Sequence, residues 1–124
     1  MNQLLAIAAG GAVGAVSRYG ASNLIYSLLG RSFPYGTLFV NVAGSLLMGI
    51  LFVLLTERMN LPAEYRAVLL IGFLGSFTTF STFSMETLTL LEQADYLKAL
   101  LNILGSVILC LLATWIGILI ARAL

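Results

Sequence analysis

The chain has 124 residues, of which 60% are hydrophobic and 9% charged, and its formal net charge is +1. These values are typical of a membrane protein and lie outside the range of soluble domains. Six basic residues are too few for a nucleic-acid interface, and a chain with one Cys and no His has no zinc cluster or His-based catalytic triad. We therefore expect neither nucleic-acid binding nor enzymatic activity.

Four apolar stretches are each long enough to cross a bilayer as a helix, which takes about 20 residues. Short connections with charged residues or Pro separate them. The first stretch has no basic region before it and no cleavage site after it, so we expect it to persist in the mature protein. The sequence predicts an all-α membrane protein with one transmembrane domain, 1–124, and spans at about 4–29, 36–56, 65–91 and 97–121.

The first span contains a charge far from either end. Arg18 lies roughly 16 Å from the nearer end, which is too deep for its side chain to reach the interface easily. Either carbonyls or a carboxylate neutralise it, or it is a fixed positive charge that attracts an anion. Because the first two spans contain no acidic residue, the second interpretation is favoured. Gly10 and Gly14 form a GxxxG pair, which is typical of close helix packing.

The second span carries an amide in the segment GTLFVNVAGS, residues 36–45. Asn41 is expected near the same membrane face as Arg18. A buried Asn in a membrane helix usually bonds a neighbouring helix, and a role in permeation is the alternative. Ser45 and Gly49 repeat the spacing of small residues that favours close packing.

The third span contains GFLGSFTTFSTFSMET, residues 72–87, with seven Ser or Thr residues. Gly72, Gly75 and the hydroxyl run can interrupt a helix, and a membrane tolerates freed backbone groups only where protein, water or an ion satisfies them. Broken helices are a recurrent way to build ion sites. The sequence therefore predicts a break in the third helix and a site at the break.

Two aromatic residues follow the predicted break. Phe80 and Phe83 are three residues apart and share a helical face, so their partly positive ring edges could line an anion path. The alternative is ordinary core packing, but the neighbouring Ser81 and Thr82 hydroxyls can donate to an anion and favour a path. Glu86 would place a negative charge, the same sign as the anion, beside such a path. Protonation by burial, pairing with Arg18 and a position in a vestibule all remain open.

The charge distribution between the two sides of the membrane is nearly balanced. An even number of spans places both termini on one side, and Lys and Arg in short loops set the orientation. Three basic residues fall on the side of the termini and two on the other: Arg58, Arg66 and Arg122 against Arg31 and Lys98. Such a chain can insert both ways and pair antiparallel. Four helices also cannot enclose a polar path alone, so we expect an oligomer.

Three segments together give the chain a recognisable pattern: GGAVGAVSRYG at 10–20, GTLFVNVAGS at 36–45 and GFLGSFTTFSTFSMET at 72–87. The chain resembles the Fluc fluoride channel family, also called CrcB. The resemblance implies a dual-topology, antiparallel homodimer in the cell inner (plasma) membrane. It also implies two pores per dimer that export fluoride passively, lower its cytoplasmic concentration and discriminate against chloride.

The same resemblance implies roles for particular residues. Phe80 and Phe83 correspond to pore-lining rings, with Asn41 as the vestibule amide beside them. The polar track would include Ser81, Thr82 and Glu86, while Arg18 matches a positive residue near the aqueous mouth. The carbonyls of Gly75 and Thr78, from both subunits, would hold a structural sodium ion on the dimer axis. The fourth span, with Asn102, Ser106 and Cys110, receives no assigned chemistry.

Two other functions share some of these features. A small multidrug exporter has the same length and dual insertion, but it needs a carboxylate in the first span, where this chain has Arg18. A packing subunit without transport would explain the glycines and aromatic residues, yet it gives no reason for the hydroxyls of the third span.

Overall fold

The computed structural model describes residues 2–59 and 61–124. Four helical stretches in this part are long and apolar enough to cross a membrane: Asn2–Leu29, Tyr35–Arg58, Ala63–Glu92 and Tyr96–Ala123. Each end lies within two residues of its predicted position, so the four predicted helices are confirmed. The second connection contains Asn60, which lies outside the described residues.

The helices are named in chain order. Helix α1 is Asn2–Leu29 and α2 is Tyr35–Arg58, with a π-helical last turn at Leu54–Arg58. The third stretch comprises α3, residues 63–77 with π-helical geometry over Ala67–Leu74, and α4, Phe80–Glu92. Helix α5 is Tyr96–Ala123.

The backbone between α3 and α4 is extended. Thr78 has φ −89° and ψ 158°, and Thr79 has φ −150° and ψ 122°. Gly72 and Gly75, which were expected to help interrupt the helix, both have helical geometry. The two extended residues therefore come from the hydroxyl run.

Polar contacts identify the two ends of the bundle. The Lys98 ammonium donates to the Ser32 carbonyl at 3.2 Å, which joins the first and third connections. At the opposite end, Arg58 donates to the Leu124 carbonyl at 2.7 Å, and Arg122 pairs with Glu57 at 3.0 Å. The second connection and the C-terminus therefore lie at the same end, as an even number of spans requires.

Glycines allow two pairs of helices to approach closely. A Cβ atom on Gly10 or Gly14 would collide with backbone carbonyls of α3, and one on Gly49 would collide with the Thr114 carbonyl of α5. Gly117 makes the reciprocal contact from α5 to α2. The predicted packing role of Gly10, Gly14 and Gly49 is confirmed, and the close contacts hold α3 against α1 and α5 against α2.

A single chain leaves much of its apolar surface uncovered. Large side chains such as Val16, Leu28, Phe80 and Leu111 are more than two-thirds exposed. Contiguous apolar surface of this extent needs a partner, either lipid or another subunit. The buried interior is small by comparison and includes Leu74.

Candidate ion permeation site

A cavity of about 360 Å³ opens beside the extended residues, between α2, α4 and α5. We call it the Phe cavity. Side chains from both sides of the extended segment and from the fourth span form its wall. Its lining residues are Asn41, Ser45, Thr78, Thr79, Phe80, Phe83, Ser106, Val107, Cys110 and Leu111.

The two predicted pore rings both face this cavity. The centroids of Phe80 and Phe83 are 5.4 Å apart, with planes inclined at 42°. Phe80 is 78% exposed in the single chain, so core packing does not explain its position. The predicted shared face is confirmed, while the role of the rings in conduction stays a prediction.

Asn41 forms a two-point contact with the extended backbone. Its Nδ2 donates to the Thr79 carbonyl at 3.1 Å, and its Oδ1 accepts from the Thr79 N–H at 2.8 Å. The amide thus replaces the hydrogen bonds that a helix would have supplied at Thr79. Asn41 therefore bonds the extended segment between α3 and α4 rather than a helix, and its side chain also lines the cavity. A role in permeation stays a prediction.

Several backbone carbonyls lose their helical donors at this point. In a continuous α-helix the Thr79 N–H would reach the Gly75 carbonyl, but it is donated to Asn41 instead. The Thr82 N–H would likewise reach Thr78, yet it is donated to Thr79 Oγ1 at 3.2 Å, which caps α4. The freed carbonyls therefore include those of Gly75 and Thr78, the residues expected to hold sodium, and also that of Ser76, which accepts from Arg18.

The other predicted polar-track hydroxyls lie at the first turn of α4. Thr79 Oγ1 donates to Thr82 Oγ1 at 3.1 Å and is 3.3 Å from Ser81 Oγ. Ser81 is exposed and Thr82 half-buried. Neither lines the Phe cavity of a single chain, so the structure does not bring them together with Asn41.

Arg18 contacts the end of α3 rather than the Phe cavity. Its Nε donates to the Ser76 carbonyl at 2.9 Å. A carbonyl at the C-terminal end of a helix carries partial negative charge and suits a cation, but it does not cancel a full charge. One of the two interpretations, contact with carbonyls, is thus observed, and attraction of an anion stays a prediction.

A second cavity, of about 390 Å³, lies at the end that holds the first and third connections. We call it the loop cavity. Charged and polar side chains from four parts of the chain surround it. Its lining residues are Tyr26, Arg31, Ser32, Pro34, Met85, Glu86, Thr89, Leu90, Gln93, Asp95 and Lys98.

Glu86 lies at the wall of the loop cavity and is held there by two hydroxyls. Its Oε2 accepts from the Tyr26 hydroxyl at 2.6 Å, and its Oε1 accepts from Thr37 Oγ1 at 2.5 Å. Arg18 donates elsewhere, so pairing of Glu86 with Arg18 was the wrong alternative within this chain. Its place at the wall of the loop cavity fits the vestibule alternative, while protonation by burial stays a prediction.

Comparison with known proteins places the chain in a family. The family model described as CrcB-like protein, Camphor Resistance (CrcB), matches residues 5–118. The chain belongs to the CrcB family. Three of the most similar members carry the name "Fluoride-specific ion channel FluC".

These CrcB relatives come from different bacteria. The Methylococcus capsulatus protein is 60% identical over 121 residues, covering 98% of this chain and 53% of the relative, so the chain spans about half of that protein's length. The Magnetococcus marinus protein is 52% identical, with 97% and 98% covered. The Coxiella burnetii protein is 54% identical over the full length of both chains.

Sequence reasoning missed several polar residues of this CrcB-family chain. Tyr26 and Thr37 both donate to Glu86, and neither is among the predicted site residues. In the fourth span, Asn102 Nδ2 donates to Thr87 Oγ1 at 2.8 Å, and Ser106 Oγ donates to Asn102 Oδ1 at 3.4 Å. Ser106 also lines the Phe cavity. Buried amides and hydroxyls in an apolar span were the available signal.

Proposed function

We propose that this chain is a subunit of a fluoride-selective channel that lets fluoride leave the cell passively. The observation that carries the proposal is the Phe cavity, where two rings and an amide meet beside an extended, hydroxyl-rich backbone. Membership in the CrcB family and the names of the relatives support fluoride as the ion.

The lining of the Phe cavity suits a small anion. Ring edges of Phe80 and Phe83 offer partial positive charge without a fixed cation that would trap the ion. The Ser45 hydroxyl and the second Nδ2 proton of Asn41 can each donate one hydrogen bond. The hydroxyls of Thr78, Thr79 and Ser106 already donate to other groups of the chain. A mostly apolar wall with a few donors can replace part of the hydration shell while keeping the ion mobile.

We further propose that the working channel is an antiparallel homodimer with two pores. The high exposure of Phe80 leaves one side of the Phe cavity open in a single chain, so a second subunit would complete the wall. The three-to-two distribution of basic residues favours insertion in both orientations. In an antiparallel pair each subunit would close the cavity of the other.

A sodium ion is proposed at the dimer axis, held by the carbonyls of Gly75 and Thr78 from both subunits. Both carbonyls lack the N–H donor of a continuous helix, and Gly75 is exposed on the single chain. Unwound carbonyls and helix C-terminal ends are suitable sodium ligands in membranes. When bound, the ion would supply positive charge that offsets the converging α3 dipoles.

The proposed site of action is the cell inner (plasma) membrane. Four spans make the chain a multi-pass membrane protein, and passive export there would keep cytoplasmic fluoride low. The proposal is transport without a catalytic step. A proton-coupled drug exporter lacks support because the first span has no carboxylate, and a packing subunit does not explain the open, ring-lined cavity.

Vesicle efflux tests the proposed function. Fluoride-loaded liposomes that contain the purified protein should release fluoride far faster than fluoride-loaded liposomes without protein. A fluoride electrode follows the release. The same vesicles loaded with chloride should retain it, because an ion path built for fluoride discriminates against the larger halide. Retention of fluoride equal to that of empty liposomes would reject the proposal.

The orientation of the subunits can be tested by changing the loop charges. Ala63→Lys with Glu64→Lys adds two basic residues on the side of the termini and should impose one topology. The variant should lose most fluoride efflux when expressed alone. Coexpression with the opposite pair, Glu92→Lys and Gln93→Lys, should restore it. Full activity of one variant with a single measured topology would contradict antiparallel pairing.

A further inference from the structure

We propose that Tyr26 is a positioning residue that, with Thr37, holds the Glu86 carboxylate against the wall of the loop cavity and out of the fluoride path. The inference rests on the fluoride-channel function proposed above. It explains how an acidic side chain can lie beside an anion path without blocking it.

Each carboxylate oxygen of Glu86 has its own donor from a different helix. The Tyr26 hydroxyl of α1 donates to Oε2 at 2.6 Å, and the Thr37 hydroxyl of α2 donates to Oε1 at 2.5 Å. The two hydroxyls are 3.3 Å apart. Hydrogen bonds to a charged acceptor are short and strong, so this arrangement fixes both the position and the plane of the carboxylate.

The Tyr26 ring is itself held in place from two sides. It is 8% exposed, and it lies against Gly36, where any Cβ would collide with the ring. On the other side, the Arg31 guanidinium lies 4.5 Å from the ring centroid, a cation–π contact. The hydroxyl therefore has little freedom to turn away from Glu86.

The position of Glu86 along α4 explains why its orientation matters. It follows Phe83 by three residues, which is about 4.5 Å along the helix axis. An ion leaving the Phe rings toward the loop cavity would pass this side chain next. A carboxylate that swung into the path would repel fluoride strongly in a partly dry channel, whereas one with both oxygens engaged stays at the wall.

Tyr26→Phe tests the inference because it removes only the hydroxyl and keeps the ring against Gly36 and Arg31. We expect fluoride efflux at about pH 7.5 to fall about tenfold. The matched control is Tyr19→Phe on the same helix, whose side chain is 71% exposed and which should match the wild type. Wild-type efflux in Tyr26→Phe would overturn the inference.

A further readout separates positioning from a general structural role. Tyr26→Phe combined with Glu86→Gln should release fluoride at the rate of Glu86→Gln alone, because no charge remains to be held. A lower rate in the double variant than in Glu86→Gln would reject the inference.

The outcome stays interpretable if the variant misfolds or the channel function is wrong. If Tyr26→Phe does not elute with the wild-type oligomer, Thr37→Val removes the other donor and should show a loss of efflux that Glu86→Gln relieves in the double variant; a loss that persists there would overturn the inference. Wild-type vesicles without fluoride efflux would reject the proposed function. Wild-type efflux with unaffected donor variants would reject only the positioning role.

Discussion

The Phe cavity and the loop cavity lie on successive turns of α4, yet one is lined by neutral polar groups and the other by charged ones. The polar groups around the Phe cavity carry no charge. The Asn41 amide bonds the extended backbone at Thr79, and the Thr79 hydroxyl accepts from the backbone N–H of Thr82. The loop cavity instead gathers Arg31, Lys98, Asp95 and Glu86. One helix thus lines both a neutral cavity and a charged one.

The contrast suggests a division of tasks along the proposed path. A charged wall close to an aqueous loop can concentrate ions, because clefts with charged rims focus the electrostatic field. A neutral wall deeper in the membrane avoids both trapping and repulsion. Changes that add charge to the Phe cavity should therefore be more damaging than changes that remove charge from the loop cavity.

Charge added to the neutral cavity should have the largest effect. Asn41→Asp keeps an acceptor for the Thr79 N–H but loses the donor to the Thr79 carbonyl and adds a negative charge. We expect fluoride efflux to fall at least about 100-fold, since like charges a few ångströms apart repel by several kcal/mol in a protein interior. Asn2→Asp at the exposed start of α1 is the control. Efflux near the wild-type rate in Asn41→Asp would show that the amide is purely structural.

Removal of a ring should have the next largest effect. Phe83→Ile keeps an apolar side chain but loses the ring edge that faces the Phe cavity. We expect efflux to fall about tenfold, equivalent to about 1.4 kcal/mol, a typical energy for an aromatic edge contact. Phe52 does not line the Phe cavity, so the Phe52→Ile control should release fluoride at the wild-type rate. Unchanged efflux in Phe83→Ile would remove the ring from the path.

Loss of charge at the loop cavity should have a smaller and salt-dependent effect. Arg31→Gln removes a cation from the mouth, and we expect efflux to fall about threefold at low ionic strength and little at about 0.5 M salt, where charges are screened. Arg58→Gln, at the other end of the chain beside Leu124, is the control. An effect that persists at high salt would indicate a packing role for Arg31.

A change far from both cavities should alter stability more than flux. Helix α5 supplies Ser106 to the Phe cavity and Lys98 to the loop cavity, and Gly49 sets its distance from α2. Gly49→Ala should lower the free energy of unfolding in detergent by about 1–3 kcal/mol, the usual cost of overpacking. A Cβ atom at Gly105 would meet open space, so Gly105→Ala should leave the free energy of unfolding unchanged. Equal melting temperatures of the Gly49→Ala and Gly105→Ala variants would show that α2 and α5 are not tightly packed at Gly49.

The parts of the fold that follow from local pattern could be predicted from the sequence. Apolar runs of the length of a bilayer gave the four spans, and the spacing of Phe80 and Phe83 gave their common face. Gly72, Gly75 and the hydroxyl run were all expected to interrupt the third helix, but the extended residues are Thr78 and Thr79, and Gly72 is in close contact with α1 instead. A glycine can either interrupt a helix or allow a close helix contact, and the position of the neighbouring helix determines which of the two occurs.

Contacts between distant spans could not be predicted in the same way. The partner of Asn41 is a backbone group 38 residues away, and Glu86 meets a hydroxyl 60 residues away in Tyr26. Nothing in the local sequence indicates that these atoms converge, because the contact depends on how three helices are arranged. The roles of polar residues at helix ends were accordingly the least predictable part of the site.

The reversal potential of the purified protein in a planar bilayer is the most direct test of passive, selective fluoride conduction. With a fluoride gradient and chloride present on both sides, current should reverse at the Nernst potential of fluoride. A superimposed proton gradient should leave that potential unchanged. Reversal at the chloride potential, or a shift with the proton gradient, would contradict the account.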